Sequence, residues 1–180
     1  MRAKYIYLNI LFLPFIVYAS IFSSDSIVHP EVDQNGMVVS QHYLASSVGA
    51  QILEDGGNAY DASIAVAFAL AVVLPRAGNI GGGGFMVMYD EKTDKSYSID
   101  YREKAPALAT KDMYLNDDGT VNKKRAREGI LSIGVPGTVY GMWEVHKKFG
   151  SLPWKKLLDP AIKLAEEGFI MSPFMVDALN

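Results

Sequence analysis

Arg102 stands in the run Asp100-Tyr101-Arg102-Glu103-Lys104-Ala105-Pro106, a guanidinium with a carboxylate on either side. A guanidinium is planar and makes a two-point pair with a carboxylate, fixing orientation as well as charge. On residue types alone the nearest partners are Asp100 and Glu103, so a structural salt bridge is the first expectation. About one strand earlier lies Ala77-Gly78-Asn79-Ile80-Gly81-Gly82-Gly83-Gly84-Phe85-Met86. Four consecutive glycines cost much backbone entropy on ordering, so they are kept where a chain turns through φ > 0 or approaches another group closely. Cradling a phosphate is one such use. The order is wrong for it: a dinucleotide fingerprint needs a strand before and a helix after, whereas here a helix precedes and a strand follows. No Gly-x-x-x-x-Gly-Lys-Ser/Thr run occurs either.

Other chemistries are narrowed by composition. The chain has no cysteine, which excludes disulfides, thiolate metal sites and a cysteine nucleophile. His29, His42 and His146 are far apart and lack i, i+4 pairing, so no metal site and no cofactor are expected. His42 reads as a strand end and His146 as a helix residue, each structural or exposed. Seventeen Lys plus Arg against twenty Asp plus Glu give a net charge of −3. The densest basic stretch, residues 123–127, carries no interleaved aromatics and is closed by Glu128. It reads as a solvated loop, and no nucleic acid partner is expected.

The elements that must position Arg102 follow from periodicity. At 180 residues and 49% hydrophobic content, the chain is long enough for one domain with a sizeable core. Residues 1–19 read as a signal peptide, with Arg2 and Lys4 before an apolar stretch and Ala19 at the cleavage position. An uncleaved membrane anchor is the rival reading, and the membrane is expected to be met only through this segment. Residues 20–28 form a polar linker. In the remainder, 29–180, residues 36–40 read as a first buried strand. A helix follows over 43–53, stopped by Gly56-Gly57. Asn58 caps a second helix over 59–74, apolar nearly all round and therefore buried. Residues 85–89 suit a doubly buried strand and 96–101 its hairpin partner, which puts Gly84 and Arg102 at one sheet edge. Residues 116–119 form a turn and 122–128 a charged loop. Helices are expected over 139–149 and 157–167, ended by Gly150 and Gly168, with a last helical pattern from Met175.

Several ordered blocks together resemble the N-terminal part of the γ-glutamyltranspeptidases: His29-Pro30, Asn35-Gly36-Met37-Val38, Gly56-Gly57-Asn58-Ala59, the glycine run, the run from Asp100 to Pro106, Pro136-Gly137-Thr138 and Gly168-Phe169-Ile170. The resemblance implies an α+β, N-terminal-nucleophile hydrolase αββα sandwich, of which only the N-terminal part is present. It implies an exported enzyme, periplasmic or extracellular, whose precursor cleaves itself into two subunits. The new N-terminal threonine of the small subunit then attacks the γ-glutamyl amide of glutathione or a similar compound, and water or an acceptor amine resolves the acyl-enzyme. Arg102 matches the family's ligand for the α-carboxylate of the donor, and Glu103 is expected to orient Arg102 or a loop from behind it. Thr93, Thr110, Thr120 and Thr138 stand outside the family's cleavage context, so no catalytic residue is expected in this chain and no activity from it alone. The small subunit of the same precursor is the expected protein partner. A related acylase or poly-γ-glutamate depolymerase of the same fold, or a membrane-anchored binding protein, are the alternatives.

Overall fold

The computed structural model describes residues 32–180. The chain divides into a unit of Met1–Asn35 and a unit of Gly36–Asn180. In the first, the described residues make a turn in which the Asn35 N–H donates to Asp33 Oδ1 at 2.6 Å. The targeting segment expected at 1–19, the linker at 20–28 and His29-Pro30 lie outside the described residues.

The second unit runs α1 (Tyr43–Glu54), α2 (Ala59–Val73), β1 (Phe85–Asp90), β2 (Lys95–Asp100), a 3-10 turn at Ile130–Ser132, α3 (Thr138–Phe149), α4 (Trp154–Glu167) and α5 (Pro173–Leu179). Glycine stops α1 as expected. Gly56 adopts φ +87°, and the N–H groups of Gly56 and Gly57 return to the carbonyls of Leu53 and Ile52 at 3.0 and 2.9 Å, satisfying the helix's last acceptors. Asn58 then starts α2 with a reciprocal cap: its Oδ1 accepts from the N–H groups of Tyr60 and Asp61, while Asp61 Oδ2 accepts from the Asn58 N–H at 3.1 Å.

The apolar surface of α2 is taken up by α1, α3 and α4. Its short alanines let these helices approach closely. Ala62, Ile64 and Ala65 join Ile52 of α1, Met88 of β1, Met142 and Val145 of α3 and Leu157 of α4 in one core. Ala69 and Val73 join Ala45 in a second cluster, edged by Leu164 and Phe169. No helix among the described residues is long and apolar enough to cross a membrane.

β1 and β2 form an antiparallel hairpin in which Phe85 faces Asp100 and Asp90 faces Lys95. Met86, Met88, Tyr97 and Ile99 point into the core. The expectation of a doubly buried β1 does not hold here: Phe85, Val87 and Tyr89 are 65, 83 and 60% exposed. A continuous apolar run predicts cover on both faces, and among the described residues only one face has it.

The strand expected at 36–40 is also corrected. The segment is extended but unladdered, since no described strand lies beside it. Val38 is half-buried at Gly49 of α1, while Met37 and Val39 point to solvent. His42 is accordingly no strand end. It is the N-cap of α1, its Nδ1 accepting from the Leu44 N–H at 3.2 Å.

Candidate functional site

Arg102 leaves β2 two residues after the last rung, and its backbone is fixed on both sides. The Tyr101 N–H donates to the Gly84 carbonyl at 3.0 Å, continuing the hairpin ladder. Beyond it, Lys104 and Val135 exchange both N–H···O bonds, at 3.2 and 2.8 Å, in an isolated antiparallel bridge. Between these clamps the Arg102 N–H donates to Asp100 Oδ1 at 3.0 Å. Asp100 therefore caps the backbone of Arg102 rather than pairing with its side chain. Arg102 is exposed, and its guanidinium makes no hydrogen bond or ion pair to any described residue. The salt bridge first expected from residue types is absent, and the cation is left to solvent.

Glu103 occupies the same crossover and is exposed. Its carboxylate forms no ion pair with Arg102, and its stem packs where a Cβ on Gly134 would lie 3.0 Å from its own Cβ. Together with Pro106, Met113, Tyr114 and Ile133, Glu103 lines a depression of about 340 Å³ directly beyond Arg102. A larger one of about 630 Å³ lies between β2 and α3, at Tyr97, Asp100, Tyr140 and Lys148, and includes neither Arg102 nor Glu103.

Gly82, Gly83 and Gly84 serve close approach, not unusual dihedrals, while a Cβ on Gly81 would meet nothing. None of the four has positive φ. A Cβ on Gly83 would lie 2.5 Å from the Tyr101 carbonyl oxygen and 2.8 Å from Arg102 Cα, and one on Gly84 would meet the Tyr101 ring at 3.0 Å. The Gly82 carbonyl accepts from the N–H groups of Gly137 and Thr138 at 2.8 and 3.1 Å, tying the run to the start of α3. The sequence-level expectation that Gly84 and Arg102 share a sheet edge is met. Burial pushes the Tyr101 phenol above its ordinary range, as the ring is enclosed between this run and α3.

Two features escaped sequence reasoning. Asp61 looks like an ordinary first-turn acid, yet it is fully buried. It also accepts from Ser151 Oγ at 2.5 Å and from the N–H groups of Ser151 and Leu152 at 3.1 and 3.3 Å. Asn58 Nδ2 adds a bond to the Phe149 carbonyl at 2.8 Å. The Asn-x-x-Asp spacing was a legible signal for the cap, but the partners ninety residues away were not. Second, Gly137, the N-cap of α3, and Gly141 within it lie against Tyr101. His146 contributes to packing: its Nε2 is 2.8 Å from the Leu152 carbonyl oxygen, and its ring sits between Trp143 and Trp154.

The family model for gamma-glutamyltranspeptidase matches residues 45–180. The glutathione hydrolase proenzyme of Pseudomonas aeruginosa is 48% identical over 160 residues, which are 89% of this chain and 28% of that protein. Among solved structures, the gamma-glutamyltranspeptidase of Helicobacter pylori superposes with a TM-score of 0.80 at 48% identity, covering 84% of this chain and 43% of that one. A cephalosporin acylase from Bacillus halodurans superposes with a TM-score of 0.68 at 30% identity, over 87% of this chain and 29% of that one. The chain thus spans less than a third of the length of the curated relative.

Proposed function

Because the chain belongs to the γ-glutamyltranspeptidase family, we propose that it is part of an exported γ-glutamyltransferase or glutathione hydrolase in which Arg102 binds the α-carboxylate of the γ-glutamyl donor. Its helices and hairpin belong to the N-terminal-nucleophile hydrolase fold, an α+β sandwich. The observation that carries the reading is the free guanidinium on a clamped backbone. A cation unpaired among the described residues, on a backbone held by hydrogen bonds on both sides, offers a two-point donor to a carboxylate arriving from solvent.

In this reading the donor's α-carboxylate docks on Arg102 and its γ-carbonyl is carried toward a threonine of the small subunit. That hydroxyl attacks the carbonyl and forms an ester, while its proton passes by way of the threonine's own α-amine to the departing amine. Water then releases glutamate, or an acceptor amine takes the acyl group, and the threonine regains its proton. Arg102 does no bond-making. It selects donors that carry an α-carboxylate and fixes the distance at which the γ-carbonyl sits. Glu103 supports the crossover from behind Arg102. The small subunit of the same precursor is the protein partner, and the uncovered face of β1 at Phe85, Val87 and Tyr89 is available to it.

The test uses the full-length protein with a γ-glutamyl anilide and the γ-aminobutyryl anilide that differs from it only in lacking the α-carboxylate. Arg102→Ala is expected to lower kcat/KM for the first by about two to three orders of magnitude, the size of a lost bidentate charged pair. The second substrate should change little. Unaltered preference between the two would overturn the assignment.

A further inference from the structure

We infer that Gly137, the N-cap of α3, and Gly141 within it are positioning residues for donor recognition: with Gly83 and Gly84 they form a socket around Tyr101 that sets the direction in which Arg102 leaves the sheet. The inference rests on the reading of Arg102 as the carboxylate ligand. It adds residues that lie 35 and 39 positions beyond Arg102 in sequence and are not themselves offered to the donor.

Two separate segments, the glycine run and the start of α3, converge on one dipeptide. From below, a Cβ on Gly83 would stand 2.8 Å from Arg102 Cα and 2.8 Å from the Glu103 nitrogen. From the helix side, a Cβ on Gly137 would stand 2.7 Å from the Tyr101 carbonyl carbon and 3.2 Å from the Arg102 carbonyl oxygen. One on Gly141, a turn later on α3, would stand 2.5 Å from Tyr101 Cβ and 2.7 Å from its Cδ1. Gly84 closes the far end, against the ring atoms Cε2, Oη and Cζ at 3.0 to 3.2 Å. A methyl at Gly83, Gly137 or Gly141 has no room unless backbone moves, because the obstructing atoms are main chain or the base of a side chain.

The packing is also directional. The Gly82 carbonyl receives both Gly137 N–H and Thr138 N–H, so α3 cannot slide away from the glycine run without losing two bonds. Asp100 and the Lys104–Val135 bridge hold the crossover on its other sides. A methyl at Gly141 therefore pushes Tyr101, and the displacement passes to the adjoining Arg102. Two-point recognition of a carboxylate is sensitive to such a shift, since a misplacement of about 1 Å costs on the order of a hundredfold in rate.

A merely architectural glycine would lower both substrates together, and the experiment separates the two roles. In the full-length protein, Gly141→Ala is expected to lower kcat/KM for the γ-glutamyl anilide about ten- to a hundredfold, chiefly through KM. The γ-aminobutyryl anilide should be little affected. Gly57→Ala is the control: its Cβ would meet the Ile52 carbonyl at 2.7 Å, an equally tight contact remote from Arg102, and it should leave the ratio of the two substrates unchanged.

Gly84→Ala is a milder probe if Gly141→Ala does not mature. Its loss of preference should be restored by Tyr101→Leu in the same chain, because leucine lacks the three atoms that the new methyl meets. Equal loss on both substrates, or no rescue by Tyr101→Leu, would overturn the socket. Arg102→Ala in the same series keeps the two ideas apart. If it abolishes the preference while Gly141→Ala and Gly84→Ala leave it intact, only the socket fails; if Arg102→Ala leaves it intact, the carboxylate assignment fails and takes the socket with it.

Discussion

Asp100 accepts the backbone N–H of Arg102 at 3.0 Å and leaves the guanidinium of the same residue untouched. The carboxylate two residues upstream thus fixes where the arginine starts without neutralising what it carries. Asp100→Ala removes this cap, and the loss of one hydrogen bond of about 1 kcal/mol should raise KM for a γ-glutamyl donor roughly fivefold. Asp100→Asn keeps an oxygen acceptor at the same place and should stay within about twofold of the parent. Steady-state kinetics on the full-length protein decides it; equal behaviour of the two variants would remove the capping role.

Asp61 is a fully buried carboxylate that ties the start of α2 to the segment between α3 and α4, and its removal should be felt as stability rather than as activity. It accepts from Asn58, Ser151 and Leu152 while fully buried. Asp61→Ala strands those donors, each at about 1–3 kcal/mol, so a loss of about 3 kcal/mol or more is expected. Ser151→Ala removes one hydroxyl and leaves Asp61 the N–H groups of Asn58, Ser151 and Leu152, and should cost about 1 kcal/mol. Urea midpoints of the two variants measure the difference.

Much of this was legible from the residues because local chemistry specifies it. Gly56-Gly57, Asn58 and Gly168 mark helix ends by dihedral freedom or capping geometry, both of which are local properties. The hairpin register follows from apolar alternation and a polar turn, and it brought Gly84 and Arg102 to one edge. What was not legible depends on neighbours distant in sequence. Residues 36–40 have the composition of a strand but no described partner, and residues 85–89 have the composition of a two-sided strand with cover on one side. Asp61 reads as a helix-start acid because its bonds to Ser151 and Leu152 leave no mark on its own segment. Among the candidate residues, Arg102 was singled out through the resemblance its run carries, while the packing of Gly137 and Gly141 against Tyr101 appears only once these distant segments are placed together.

Tyr101 should set part of the alkaline limit. Burial raises its phenol above the ordinary range, so the unfolded chain ionises first. The group's contribution is fully present below the unfolded value of about 10 and is lost as pH rises through the higher folded value. Tyr101→Phe keeps the ring packed against Gly84 and Gly141 and removes the titration. Its stability should therefore fall less steeply than the parent's above about pH 10, read from urea midpoints taken at successive pH values. Parallel curves would show that the phenol does not contribute.

The exposed face of β1 makes two predictions of opposite sign. Phe85, Val87 and Tyr89 form an apolar row beside a strand edge that no described residue pairs, the arrangement that templates association. A polypeptide of residues 29–180 should self-associate, as light scattering would register, and Val87→Lys should reduce that association by placing a charge in the row. In the full-length protein the same substitution should be harmful if the rest of the fold covers this face. Losing a buried valine costs about 1.5–3 kcal/mol before the cost of burying an ammonium is added. Improved behaviour of the shorter chain together with impaired stability of the longer one identifies the row as an internal interface. If Val87→Lys is harmless in the full-length protein, the row remains solvent-facing there.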